Sequence, residues 1–333
     1  MDNIDNIVVS SRVRLARNVR GLPFPKRLMP QDERVYSVLL SGVKNAIGNR
    51  FGYDFYEMRR LDGVERQALL EQHLVSYDLT SNIDNGSVLI SHDKTISIMV
   101  NEEDHIRAQC VLAGLNLYEA YDKIDALDDE LAKNLDIAFD KRLGYLTSCP
   151  TNLGTGMRAS VMMFLPALTQ LDGMHAIIST AHKLGLTARG MYGEGSDADG
   201  YLYQISNEVS LGISEKDILR RVDTFVRKVA ENELKAREIL FQQGGVQLID
   251  QIARAYGILT NAYMLSSDEC MRLLSYVKLG VSHGIIKNID MATLSNLTDS
   301  IGSAEICKEA GKNLGATDRD IERAKRVKET LKR

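Results

Sequence analysis

Two β-branched runs, Ser87–Ser91 and 95–101, are separated only by His92-Asp93-Lys94. So short a connection cannot carry the chain back to the start of a parallel strand, which needs a crossover of about a dozen residues or more. The two runs therefore form a β-hairpin. The pattern recurs at 187–192 and 201–209, which flank a Gly/Asp-rich loop at 193–200. Extended segments are also expected at 10–15, after Val8-Val9, and at 144–148, where Cys149-Pro150 stops the strand. Hairpins dominate over alternating strand and helix. This argues against a doubly wound parallel sheet and predicts an α+β fold, an antiparallel β-sheet flanked by helices.

Helical periodicity covers 31–47, 116–143 and 157–171, the last after a glycine loop. Pro23, Pro25 and Pro30 mark a corner before the first of these. Ser214, with Asp217 in the capping-box position, starts another helix. Its apolar stripe is Ile218, Val222, Phe225, Val226 and Val229. Strand signals fade beyond residue 230. Gly244-Gly245 breaks a long helical pattern and places the organisational boundary there, between a mixed unit at 1–240 and an all-helical unit at 241–333. Thr317 is expected to open the final helix, with Asp320 in the capping position.

Composition removes several classes of function. The 333 residues carry a net charge of −4, so no global basic field points to nucleic acid. No apolar run approaches the ~20 residues of a membrane span, and no charged-then-apolar leader is seen. The four cysteines, Cys110, Cys149, Cys270 and Cys307, share no CxxC spacing, and the six histidines form no ligand pair. A reduced, cytoplasmic protein with no metal site of its own is the expectation. Asp197-Ala-Asp199-Gly200 lacks the remaining oxygen donors of a calcium loop.

The charge is nonetheless uneven. Arg12 and Arg14 alternate on an extended segment and so project from one face. Arg107, Arg158 and Arg189 each stand beside turn-like sequence. Planar, always-charged guanidiniums suit phosphate oxygens, and several on one sheet face would clamp a polyphosphate. Scattered surface arginine is the plainer reading of the same spacing. The loop Cys149-Pro-Thr-Asn-Leu-Gly-Thr-Gly-Met-Arg158, read as joining a strand to a helix, suits an anion. It is neither a Walker A loop nor a dinucleotide fingerprint. Glu102, Glu103 and Asp104 end a strand, and Glu194 lies in Arg189-Gly-Met-Tyr-Gly-Glu194. Such acids are commonly solvated turns, but beside a phosphate clamp they would suit a cationic substrate.

Four segments, Ser10-Ser-Arg-Val-Arg14, Asn101-Glu-Glu-Asp-His-Ile-Arg107, Cys149-Pro-Thr-Asn-Leu-Gly-Thr-Gly156 and Arg189-Gly-Met-Tyr-Gly-Glu194, resemble the phosphagen kinases in sequence and in order. That resemblance covers about 7–236. Phosphagen kinases carry a helical domain ahead of the first segment, whereas this chain reaches it almost at once and carries about a hundred further residues at its C-terminal end. In both respects, and in Arg319-Asp-Ile-Glu-Arg-Ala324, it is similar to the bacterial protein-arginine kinases, the McsB family. The resemblance implies a phosphagen-kinase catalytic domain, glutamine-synthetase-like in its sheet, and a C-terminal helical domain for dimerisation and phosphoarginine sensing.

It also implies roles. Glu103 resembles the catalytic base, Glu194 the second carboxylate on the guanidinium, and Cys149 the thiol beside it. Arg12, Arg14, Arg107, Arg158 and Arg189 resemble the ATP clamp. Ser10, Ser11, Val13, His73, Ala159, Ser160, Val161, Met162, Gly190, Met191, Tyr192, Gly193 and Glu194 fall in similar nucleotide-binding segments. Arg319, Asp320 and Arg323 resemble a phosphoarginine-binding set. The cofactors implied are ATP and Mg²⁺. The implied partners are proteins with accessible arginines, a Clp ATPase, a stress-response repressor, a zinc-binding activator and a second copy of the chain. A free-arginine kinase and an inactive phosphoarginine-reading adaptor are the alternatives.

Overall fold

The computed structural model describes residues 4–25, 33–48, 52–190 and 199–332. The strands are β1 (Val8–Arg17), β2 (Tyr53–Glu57), β3 (Ser87–Ser91), β4 (Ile96–Val100), β5 (Ile106–Ala113), β6 (Phe139–Asp140), β7 (Gly144–Tyr145), β8 (Met157–Phe164), β9 (Leu186–Gly190) and β10 (Leu202–Asn207). The helices of the same region are α1 (Glu33–Ile47), α2 (Gly63–Glu71), α3 (Tyr77–Ser81), α4 (Leu117–Asn134), α5 (Pro166–Gln170) and α6 (Met174–Lys183). Eight strands form one sheet in the order β2-β3-β4-β5-β1-β8-β10-β9. Every neighbouring pair is antiparallel. The expected hairpins are β3–β4 and β9–β10.

Alternation along the strands gives the sheet two unlike faces. Val13, Leu15, Ala108, Cys110, Ala159 and Val161 face a core completed by Ala120, Ile124, Leu127 and Leu131 of α4 and by the following helix, α7 (Glu215–Asn261). The predicted stripe Ile218, Val222, Phe225, Val226 and Val229 lies in this core. On the opposite face, Leu69, Leu74, Val75 and Leu79 of the α2–α3 region cover Val88, Ile90 and Met99. Beyond that cover the same face carries Arg12, Arg14, Arg107 and Arg158. Arg14 stands opposite Gln109 of β5 and Arg158 of β8.

The structure corrects three sequence expectations. Residues 157–171 are not one helix: Met157–Phe164 is strand β8, in the middle of the sheet, and only Pro166–Gln170 is helical. Met157, Ala159, Val161 and Met163 are buried on the core side, a period of two. Methionine and alanine favour helices, and Met162 on the far side filled in an apparent helical stripe. The helix at 116–143 stops at Asn134, and the short β6–β7 pair follows. Gly315, not Thr317, precedes the final helix, and no side chain caps it.

The C-terminal helices are α8 (Ser267–Ser282), α9 (Met291–Ser300), α10 (Ser303–Glu309) and α11 (Ala316–Leu331). Ser214 caps α7 through the Asp217 N–H, as the sequence predicts. Helix α7 runs through residue 240 and departs from helical geometry at Gly245 (φ 47°, ψ −132°). Leu248 and Ile252, beyond that point, still pack in the sheet core. Ala255 and Leu259 join a second core with Leu274, Val277, Leu294, Ala324, Val327 and Leu331. Helix α10 lies against α2, with Val64 on Ile306, Cys307 and Leu314.

Candidate active site

Adjacent strands bring the predicted arginines together. Arg12 and Arg14 of β1, Arg107 of β5 and Arg158 of β8 sit close enough to repel one another, and Arg189 of β9 adds to the field on Arg158. Desolvation, then the charges of Arg107 and Arg158, lower the Arg12 pKa to about 10. Burial and then the charges of Arg12, Arg107 and Arg158 push Arg14 well below its ordinary value, against an opposing contribution from Glu102. Among the described residues the buried Arg12 Nε has no hydrogen-bond partner. Packed cations of this kind are costly until an anion joins them.

A buried carboxylate enters the cluster. Glu102 is buried, pairs with Arg107 Nη1, accepts from Ser76 Oγ at 2.5 Å and accepts from its neighbour's backbone, Glu103 N, at 2.7 Å. Glu103, half-buried, is thus held by its backbone with its carboxylate beside the cleft. That cleft is shared by Arg14, Arg107, Arg158, Glu102, Glu103 and Asn152.

The acid turn is fixed from below. Asn101 adopts φ 57° and is fully buried, its N–H donating to His105 O at 2.9 Å. Asn82 Nδ2 and Asn101 Nδ2 tie the turn to the 82–85 loop. Asp104, which also lines the cleft, is tied to its wall and accepts from Asn18 Nδ2 and from Ser148 N, both at 2.6 Å. Asn18 Oδ1 in turn accepts from His105 N. One carboxylate therefore joins the acid turn, the end of β1 and the residue before Cys149.

Cys149 is half-buried at the start of a single 3₁₀ turn, Pro150–Asn152, with its Sγ 3.0 Å from Thr151 Oγ1. Ser210 Oγ donates to Thr151 O and Leu153 O and holds this loop. Its far end needs glycine: at Gly156 (φ 62°) a Cβ would stand 2.6 Å from Ala16 O and from Arg17 Nη1. Arg17 is spent on structure, paired with Asp128 and stacked on Tyr145. The loop leads into strand β8, so no α-helix N-terminus stands ready there for an anion.

The contiguous segments named from sequence divide by face. Ser10, Arg12, Arg14, Arg158, Ser160 and Met162 alternate onto the arginine face. Val13, Ala159 and Val161 lie in the helix-covered core. Ser11 is buried and bonds Gly114 O and Asn116 N. His73 (φ 57°) is open to solvent at the α2–α3 side, yet desolvation and then the Arg12 charge lower its pKa. Arg189 and Gly190 end β9, at the edge of the sheet. Met191, Tyr192, Gly193 and Glu194 lie outside the described residues. Sequence reasoning missed the separate roles of Glu102 and Asp104, because three consecutive acids show nothing of where each points.

The C-terminal set is arranged differently. Arg323 is 1% exposed. It donates to Ile301 O, Leu265 O, Ser303 Oγ and Asp320 Oδ1. Arg319, one turn earlier, is half-exposed.

Comparisons with known proteins give the family. Residues 35–236 match the family "ATP:guanido phosphotransferase, C-terminal catalytic domain", and residues 245–333 match "Protein-arginine kinase McsB C-terminal domain". A protein-arginine kinase of Caldanaerobacter subterraneus is 44% identical over 98% of this chain and 97% of its own length. One of Clostridium acetobutylicum is 42% identical with the same coverage. The crystal structure of a lombricine kinase superposes with a TM-score of 0.60 at 27% identity, covering 72% of this chain and 68% of that one. A Schistosoma mansoni taurocyamine kinase shares the fold with a TM-score of 0.61 at 23% identity, over 95% of this chain and 49% of that one. The chain thus belongs to the protein-arginine kinase family, built on the guanido-phosphotransferase catalytic domain.

Proposed function

We propose that this kinase transfers the terminal phosphoryl group of ATP to arginine side chains of proteins, with Glu103 as general base and the arginine row as the nucleotide clamp. The observation that carries the reading is the shared cleft, in which Glu102 and Glu103 face Arg14, Arg107 and Arg158. An anionic triphosphate would relieve the repulsion among the arginines, and the acids suit a cationic acceptor.

A guanidinium has a pKa above ~12 and its lone pairs are delocalised, so it attacks poorly unless oriented and deprotonated as the new bond forms. In this reading Glu103 accepts the proton of the attacking nitrogen as the N–P bond forms and the bond to ADP breaks. Glu102 holds Arg107 and the Glu103 backbone, which fixes the base against the clamp. The arginines stabilise charge on the transferring group. Glu194 is assigned as the second guanidinium carboxylate and Cys149 as its neighbour. Among the described residues no cluster of acids, histidines or cysteines could hold a metal ion by itself. Magnesium is assigned as part of the MgATP substrate, where it would screen the phosphates.

The division into a catalytic unit at 1–240 and a helical unit at 241–333 belongs to the same reading. So do a homodimer, a cytoplasmic location, the Clp ATPase, repressor and activator partners, and phosphoarginine binding at Arg319, Asp320 and Arg323. Among the described residues no helix is long and apolar enough to cross a membrane. With Arg323 buried, Arg319 is the guanidinium of that set with surface open to a phosphate.

Incubation with ATP and either an arginine-rich protein or free arginine tests the reading. Acid-labile phosphate on protein arginines is expected, because a P–N bond is lost in acid. Labelling of free arginine alone would instead identify a phosphagen kinase, and phosphoarginine binding without transfer an adaptor.

A further inference from the structure

Where α10 packs on α2, one carboxylate of the catalytic region reaches the backbone of the C-terminal helices. Glu71, the last residue of α2, accepts from the backbone N–H of Ala304 at 3.0 Å and of Glu305 at 3.1 Å. A side chain from the catalytic region thereby caps α10, whose own N-cap residue, Gly302, offers none. The pairing is electrostatically sensible. A carboxylate is disfavoured at the C-terminal end of its own helix and favoured at the N-terminal end of another. A Cβ at 302 would stand 2.2 Å from Glu71 Oε2 and push the carboxylate aside. Gln72 adds a hydrogen bond to Glu305 at 2.7 Å.

Short paths lead from this contact in both directions. Two residues on, the His73 carbonyl accepts from Gln109 Nε2 at 2.7 Å. Gln109 stands opposite Arg14 in the β5–β1 register. On the other side, Arg323 holds Ile301 O and Ser303 Oγ, the residues flanking Gly302. The turn beside the arginine row is thus fixed at one end to the sheet and at the other to α10.

We infer that Glu71 is a positioning residue for the nucleotide: anchored on α10, it sets the His73 turn against the arginine row, so ATP affinity depends on the docked C-terminal helices. The inference rests on the reading of Arg14 and His73 as part of the nucleotide site.

Full-length Glu71→Ala, Gly302→Ala and the double variant test it. Each single variant should raise KM for ATP about fivefold or more, the lower end of typical coupling between sites, while kcat and KM for the protein substrate change by less than about twofold. Amide exchange at Ala304 and Glu305 should accelerate in both. The double variant should be no worse than the stronger single one, because both remove one contact. Glu71→Gln keeps an acceptor oxygen and should restore most of the affinity, and it serves as the folded control if Glu71→Ala is unstable. Faster amide exchange with unchanged KM for ATP would overturn the inference, as would additive effects in the double variant. Arg14→Ala run in parallel separates the two levels. If it too leaves KM for ATP unchanged, the nucleotide-site reading fails and the inference with it. If it raises KM and Glu71→Ala does not, only the inference fails.

Discussion

Arg14 and Arg158 stand directly opposite each other on adjacent antiparallel strands, and among the described residues neither guanidinium hydrogen-bonds a carboxylate. The protein therefore stores like-charge repulsion on its open sheet face. Arg14→Ala should relieve it. The nucleotide-free variant is expected to be more stable by on the order of 1 kcal/mol, while its KM for ATP rises about tenfold or more through loss of a charge-assisted contact. Thermal melts with and without MgATP check both, and the nucleotide should stabilise the variant less than it stabilises the parent.

Glu103→Gln keeps the shape of the side chain and removes its basicity. Transfer to protein arginine should fall by about 10²–10⁴ in kcat, with KM for ATP within about twofold of the parent. A single-turnover assay beside a nucleotide-binding titration distinguishes this from misfolding. Normal turnover would remove Glu103 as the base.

Asp104→Ala should act on stability first. It removes the carboxylate acceptor of two donors, the buried Asn18 Nδ2 and the part-buried Ser148 N. Each orphaned donor costs about 1–3 kcal/mol, so a loss of roughly 2–6 kcal/mol is expected by denaturant unfolding. Activity should also drop, because the Cys149 loop and the acid turn lose their common anchor.

Acid should weaken the fold through His105. This fully buried imidazole accepts from Val19 N at Nδ1, and its Nε2 lies 2.8 Å from Pro23 O, a pattern that requires the neutral Nε2–H form. Desolvation lowers its pKa against opposing contributions from Pro23 and Asp104. Below the unfolded value of about 6.5 the unfolded chain binds a proton that the native state resists. The contribution is thus complete above that value and is lost as pH falls toward the folded pKa. Melting temperature should decline from pH 7 to pH 5, with a shallower slope in His105→Gln.

Much of this arrangement can be read from the sequence where spacing alone decides it. The four-residue gap between β3 and β4 permits only a hairpin, and the Arg12/Arg14 alternation places both on one face. Where composition and period disagree, the reading fails: β8 is a central strand built from helix-favouring methionine and alanine. Consecutive acids are opaque for another reason. Glu102, Glu103 and Asp104 differ only in direction, and direction comes from Arg107, the cleft and Asn18, which approach from other strands and loops. The contact of Glu71 with α10 links residues more than two hundred positions apart and leaves no local trace.

Helix α7 contributes side chains to the sheet core before and after Gly245 and to the C-terminal core further on. A rod shared in this way ties the melting of one half to that of the other. Cutting the chain near residue 240 would strip Leu248, Ile252 and Leu279 from the sheet core, leaving apolar surface that favours aggregation over an isolated kinase unit. The intact chain should lose its structure in one cooperative step rather than in two.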